Sequence, residues 1–148
     1  MLATRRKFLR VCGVGASACA LGGGCGSNNS GAPSAFGDVS AGNVKDLPVG
    51  ALQPIPSTPA FIARDAAGLY ALTSTCTHAG CDVTVQPSGN TVVFFCPCHG
   101  SQFDRNGAVM AGPARSPLVH FAVELDAMGN VTVHGGIQVG AAVRVAIP

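Results

Sequence analysis

Positive charge is scarce in this sequence beyond its first ten residues. Four of its nine lysine and arginine residues stand together near the N-terminus: Arg5, Arg6, Lys7 and Arg10. Past residue 25 this leaves five cationic residues against seven acidic ones, a net charge of −2. A surface that binds nucleic acid needs clustered cations. The sequence therefore argues against nucleic acid as a partner.

The apolar stretch that follows the N-terminal cations is short for a membrane-spanning helix. It covers residues 11–24, which is 14 residues, whereas a helix needs about 20 to cross a bilayer. Its many glycines lower the stability of a helix further. A permanent transmembrane anchor is therefore disfavoured.

Residues 1–25 have the order of an export signal, with cations first, then the apolar stretch, then a polar segment. The stretch "TRRKFL", in which Arg5 and Arg6 precede Phe8 and Leu9, resembles the twin-arginine signal. Such signals direct proteins that leave the cytoplasm already folded, usually with a cofactor inside. We therefore expect the protein in the periplasm or on the outer side of the cytoplasmic membrane.

The end of this leader has two interpretations. Cys25, followed by "GSNNS", resembles a lipoprotein acylation site, although the usual leucine is displaced by one position, to Leu21. Acylation would tether the protein to a membrane through Cys25. Ordinary cleavage after Ala18 or Ala20 is the alternative.

Residues 26–43 consist almost entirely of glycine, serine, asparagine and alanine, without periodicity. A segment of this composition buries too little apolar surface to offset the entropy lost on ordering. It is predicted to be a flexible linker, and the folded domain is predicted at residues 44–148.

The rest of the chain lacks a convincing amphipathic helical period and is instead made of short apolar or alternating runs. Among these runs are "FIARD", "LYALTSTC", "DVTVQ", "TVVFF", "HFAVELD" and "VTVHG". The segments "PSGN" and "AMGN" separate pairs of them, and glycine and asparagine tolerate the positive φ of hairpin turns. The pattern predicts an all-β domain.

Two Cys-and-His motifs follow two of these runs: "CTHAGC" at residues 76–81 and "CPCHG" at residues 96–100. Each motif offers one thiolate and one imidazole: Cys76 with His78, and Cys96 with His99. Four such ligands can close a tetrahedral zinc site, which leaves Cys81 and Cys98 over. The same four ligands also suit a [2Fe–2S] cluster of mixed cysteine and histidine ligation. Ligand spacing alone leaves both metal sites open.

A longer match favours the iron–sulfur site. "CTHAGC" together with "CPCHGSQFDRNGAVMAGPA", within residues 76–114, resembles the Rieske [2Fe–2S] domain in the subclass that carries a bridging disulfide. The resemblance implies an antiparallel β-sandwich with a two-loop cluster-binding subdomain. It also implies one-electron transfer, a role known for cytochrome bc subunits and for the small subunit of arsenite oxidase.

The resemblance also assigns residues. It implies one [2Fe–2S] cluster per chain, with Cys76 and Cys96 on one iron and His78 and His99 on the other. A disulfide would join Cys81 to Cys98, and such a bond persists in an oxidising compartment. Ser101 would donate a hydrogen bond to a bridging sulfide, and residues 112–114 match the proline loop that covers the cluster. The two other histidines, His120 and His134, are interpreted as ordinary strand residues.

Two positions depart from the quinol-oxidising members of this family. Phe103 stands where they have a tyrosine whose hydroxyl donates to a ligand cysteine, and Ala79 stands where they usually have a leucine. Together with the short leader, these changes favour an exported soluble or lipid-tethered electron carrier, or the small subunit of a periplasmic oxidoreductase. Its partner would be a cytochrome or an oxidoreductase large subunit, and the chain would not be a stand-alone catalyst.

Two alternatives remain. One is the quinol-oxidising Rieske subunit of a cytochrome bc complex, for which quinol would be the substrate. The other is a structural zinc or disulfide module that serves only in protein interaction. Rieske oxygenase components are disfavoured because they typically lack the residues corresponding to Cys81 and Cys98.

Overall fold

The computed structural model describes residues 35–89 and 91–148, and β-strands dominate them. The strands are β1 Asp38–Asn43, β2 Leu52–Pro54, β3 Ala60–Asp65, β4 Gly68–Thr73, β5 Thr84–Ser88, β6 Thr91–Phe95, β7 Gln102–Phe103, β8 Val109–Ala111, β9 His120–Leu125 and β10 Asn130–Val139. A single 3-10 turn, Val44–Asp46, follows β1 within this part of the chain. None of the described segments is a helix long and apolar enough to span a membrane. The predicted export signal at residues 1–25 lies outside the described residues.

The strands form two antiparallel sheets. The large sheet has the order β1-β10-β9-β4-β3-β2, and the small sheet has the order β5-β6-β7-β8. The hairpin turns predicted from "PSGN" and "AMGN" join β5 to β6 and β9 to β10. The predicted all-β fold with antiparallel sheets is confirmed.

The central strands β3 and β4 of the large sheet bury both of their faces, because side chains alternate between two apolar cores. The first core combines Phe61, Ala63, Tyr70 and Leu72 of the large sheet with Phe94 and Phe103 of the small sheet. The second core contains residues of the large sheet together with two residues outside its strands, Leu47 and Ile55; the sheet residues are Ala60, Ile62, Leu69, Ala71, Phe121, Val131 and Val133. Cys76 and Cys96 belong to the first core. The packing that joins the two sheets therefore also surrounds these two cysteines.

The ordered domain begins earlier than the predicted boundary at residue 44. Residues 38–43, placed in the flexible linker by composition, form the edge strand β1 and pair with β10. The ring of Phe36 lies edge-on to Phe121, with centroids 5.0 Å apart. Gly135 leaves room for it, since a Cβ there would lie 2.3 Å from the Phe36 ring. One aromatic anchor and backbone pairing thus order a segment of small residues.

His134 links three strands of the large sheet. From β10 its Nδ1 lies 2.9 Å from Asp38 on β1, and its Nε2 lies 3.3 Å from Glu124 on β9. The hydrogen bond to Asp38 is the main cause that raises the pKa of His134, and Glu124 adds to it. The protonated ring therefore helps to hold the edge strand against the sheet.

This pairing predicts a pH-dependent contribution to stability. Because the folded-state pKa is raised, the contribution is complete below the unfolded pKa of about 6.5 and is lost as pH rises through the folded-state pKa. We expect His134→Gln to lower the free energy of unfolding in urea near pH 5.5, and to change it much less near pH 8.5. An equal loss at both pH values would contradict a role for the charged ring.

Candidate metal centre

Two loops with the same backbone hydrogen bonds carry the Cys-and-His motifs. The first loop, residues 74–83, joins β4 to β5, and the second loop, residues 96–101, joins β6 to β7. In each loop the first cysteine donates its N–H to the carbonyl five residues later, at 2.7 Å in the first loop and 2.8 Å in the second. A glycine four residues after that cysteine donates back to its carbonyl, at 2.9 Å in both loops. These glycines, Gly80 and Gly100, both have a φ of 79°, which favours glycine.

The two loops place different side chains on this shared backbone. Counted from the first cysteine, the second following position is His78 in one loop and Cys98 in the other. The histidine of the second loop, His99, comes one position later. The fifth position is Cys81 in the first loop and Ser101 in the second. A repeated backbone thus carries a set of ligand residues that is not repeated.

Cys76 and Cys96 are buried free thiols. They are 0% and 1% exposed, and neither takes part in a disulfide. Burial raises the pKa of the Cys96 thiol, and a hydrogen bond with the neighbouring Cys76 adds to the shift. Two adjacent thiolates in an apolar core need a compensating positive charge, which bound iron supplies. This pair of residues fits a metal group.

The imidazoles of His78 and His99 lie close together at the surface. Their ring centroids are 4.8 Å apart, the rings are nearly perpendicular at 89°, and both residues are exposed. Two buried thiols and two exposed imidazoles on adjacent loops form the donor set expected for a mixed-ligand [2Fe–2S] cluster.

The structure joins Cys81 and Cys98 by a disulfide, the pair that the resemblance implied, with their Cα atoms 6.5 Å apart. The bond connects the two loops. The Sγ atoms of Cys81, Cys96 and Cys98 lie within 4.8 Å of one another. Because two of these three sulfurs are bonded together, only Cys96 of this group offers a thiolate to a metal.

The proline loop, residues 112–114, packs against the second loop. Gly112 has a φ of 106°, and a Cβ on it would lie 2.3 Å from the Cα of Ser101. Ala114 donates its N–H to the Ser101 Oγ at 3.1 Å, and Ser101 is fully buried. The serine oxygen thus accepts a bond from the protein. Among the described residues no group accepts the serine proton, which is free to be donated elsewhere.

His120 lies apart from this site. It is buried, its Nε2 lies 2.9 Å from the carbonyl oxygen of Asn106, and its ring stacks on Tyr70 at a centroid distance of 5.8 Å. Burial lowers the pKa of His120. These surroundings are those of a core histidine. The ion pairs of His134 likewise give it a structural role, linking strands.

Comparisons with known proteins identify the family of this domain. Residues 37–137 match the family model described as "Rieske [2Fe-2S] domain". The chain is 38% identical over 85 residues to the "Cytochrome b6-f complex iron-sulfur subunit" of Synechococcus sp. (strain CC9605), over 55% of this chain and 42% of that protein. It is 46% identical over 63 residues to the subunit of the same name from Prochlorococcus marinus (strain AS9601), over 41% of this chain and 34% of that protein.

A solved structure agrees as well. The cyanobacterial plasma membrane Rieske protein PetC3 from Synechocystis PCC 6803 superposes with a TM-score of 0.50 at 30% identity, over 64% of this chain and 97% of that one. The chain spans less than half the length of the two curated relatives. The family match covers most of the described residues, and it includes both loops and the proline loop. The chain belongs to the Rieske [2Fe–2S] family, and its domain is of the type that binds a [2Fe–2S] cluster for electron transfer.

Proposed function

We propose that this chain is an exported one-electron carrier, or the electron-transfer subunit of a periplasmic oxidoreductase. Cys76 and Cys96 would bind one iron, and His78 and His99 would bind the other. The observation that carries the proposal is the pair of buried free thiols beside two exposed imidazoles, on loops that a disulfide joins. When bound, a [2Fe–2S] cluster accepts and releases one electron.

The surroundings of these ligands suit exchange of electrons with another protein. The cysteines lie in the first core, where Leu72, Phe94 and Phe103 exclude water from the thiol side. The two histidines lie exposed at the surface, so a partner can come into contact with the imidazoles directly. A cytochrome or the large subunit of an oxidoreductase would be such a partner.

Export is supported by two features. "TRRKFL" has the form of a twin-arginine signal, and the disulfide between Cys81 and Cys98 persists in an oxidising compartment. We propose residues 1–25 as the signal, with Cys25 as the acylation site of a lipid tether; the alternative is ordinary cleavage after Ala18 or Ala20. The linker would then cover residues 26–35, and the domain would begin at Phe36, whose ring packs on Phe121.

A second candidate is a quinol-oxidising subunit of a cytochrome bc-type complex. It is favoured by the relatives named as subunits of the cytochrome b6-f complex. Phe103 and Ala79 count against it, because they replace the tyrosine and the leucine of quinol-oxidising members. The reduction potential of a Phe103→Tyr variant therefore bears on the choice between a carrier and a quinol-oxidising subunit.

The ligand assignment predicts two irons and two inorganic sulfides per chain. The reduced protein should give an electron paramagnetic resonance signal with a lower average g value than clusters with four cysteine ligands. His78→Ala and His99→Ala should each abolish that signal. His134→Gln is the matched control, because it removes a histidine distant from the loops and should leave the signal intact. A normal signal in either alanine variant would show that the ligand assignment is wrong. A colourless protein that contains zinc would instead support the alternative of a structural zinc module that serves only in protein interaction.

A second prediction concerns the reduction potential. A hydrogen bond to a charged acceptor contributes about 1.5–3 kcal/mol, and for one electron about 1.4 kcal/mol corresponds to about 59 mV. Only the difference between the two redox states counts, so these values are upper bounds. Ser101→Ala should lower the potential by some tens of millivolts, and Phe103→Tyr should raise it. Protein-film voltammetry measures both. No effect of Phe103→Tyr would mean that position 103 does not face the cluster.

Gly112 should affect the same potential through Ser101. A Cβ at residue 112 would push the proline loop away from the second loop and break the bond from Ala114 to Ser101. We expect Gly112→Ala to lower the potential, and to have no further effect in a Ser101→Ala background. Gly50→Ala is the control, because Gly50 also has a positive φ, 94°, but an added Cβ there meets nothing within 4 Å. A shift that persists without the serine hydroxyl would contradict positioning through Ser101.

A further inference from the structure

An open recess lies beside His78. Its volume is about 640 Å³, and it is lined by Thr77, His78, Gly112, Pro113, Arg115 and Ser116. The first loop forms one wall and the proline loop with its following residues forms the other. Thr77 donates its hydroxyl proton to the carbonyl of Ser116 at 2.6 Å, which holds the two walls together. The recess is therefore a defined feature of the surface next to one exposed imidazole.

Arg115 supplies the charge of this recess. Its side chain is exposed, and no described residue forms an ion pair or hydrogen bond with it. The other arginines of the described residues are engaged in the protein. Arg64 donates to the carbonyl of Leu47, Arg105 donates to the carbonyls of Gly50 and Ala51, and Arg144 pairs with Asp65 at 2.7 Å. Arg115 is thus the one arginine among them that is available to an external anion.

Four of the seven acidic residues lie away from the recess. The far end of the large sheet is the end opposite the two loops, where the turns after β3 and β9 lie. Four carboxylates lie there, Asp46, Asp65, Glu124 and Asp126, together with the cations Lys45, Arg64 and Arg144. On the side of the loops, Asp82 lies next to the disulfide and Asp104 follows strand β7. No described acidic residue pairs with Arg115, so a carboxylate of an acidic protein would be attracted to this side chain, next to His78.

We propose that this recess is a docking site for a carboxylate side chain of an acidic redox partner. Arginine binds carboxylates through paired N–H donors in a fixed plane, and the hydroxyl-bearing residues Thr77 and Ser116 line the same space. Binding there would bring the partner surface against the exposed edge of His78. The inference rests on the proposed function, because it places the partner beside a ligand of the cluster.

The kinetic test uses two one-electron oxidants of opposite charge, hexacyanoferrate(III) and tris(phenanthroline)cobalt(III). Each accepts one electron from the reduced protein, and stopped-flow absorption follows the reaction at low ionic strength. Arg115→Gln should slow the reaction with the anionic oxidant by about threefold to tenfold and should not slow the cationic one. Lys45→Gln removes the same charge from the far end and should change either rate less than twofold. Equal effects of the two variants would overturn the proposal.

A binding test is independent of the cluster. Hexaglutamate presents carboxylates without redox activity, and calorimetry measures its binding to the purified protein. Arg115→Gln should weaken binding severalfold, whereas Lys45→Gln should leave it nearly unchanged. Equal binding of hexaglutamate by the unchanged protein and both variants would overturn the docking site. So would small anions that slow electron transfer when the peptide does not bind. A purified protein without the visible absorption of the cluster would count against the proposed function. The calorimetric result would still show whether the recess binds carboxylates.

Discussion

Two thiols placed side by side in an apolar core are the constraint on which the rest of this site depends. Cys76 and Cys96 lie where both sheets pack, and burial raises the pKa of the Cys96 thiol. As thiolates they would repel each other in a medium that screens charge poorly, so a cation has to lie between the loops. The two loops must therefore be held close enough together for one metal group to contact both cysteines. The disulfide and the shared backbone hydrogen bonds provide this constraint.

The same backbone conformation, used twice, carries ligand residues, a cross-link and a hydrogen-bond acceptor. Position five of the first loop is Cys81, which enters the disulfide, whereas position five of the second loop is Ser101, which accepts the N–H of Ala114. The first loop is thereby tied to the second, and the second loop is tied to the proline loop. Thr77 of the first loop donates a hydrogen bond to the carbonyl of Ser116, which follows the proline loop, so all three segments are connected. Displacing any one segment should therefore disturb the other two.

Local sequence patterns predicted the parts of this structure that depend on local physics. Alternating apolar runs and Gly-Asn turns predicted the central strands, and the spacing of cysteine and histidine predicted the two loops. Strand β1 was missed because its alternation uses small residues, and its order comes from Phe36 packing against Phe121 and Gly135. The bond from Ala114 to Ser101 was missed because it joins segments 13 residues apart, and no local pattern encodes that contact.

The position at which the chain enters the domain bears on how the loops meet a partner. Phe36 and β1 lie at the side edge of the large sheet, where β1 pairs with β10. The loops lie at one end of that sheet, and most of the carboxylates lie at the other. The tether proposed above would join the domain at this edge rather than at the loops. Because Arg115 and the exposed imidazoles of His78 and His99 lie on the side of the loops, the acidic partner proposed above would exchange electrons there.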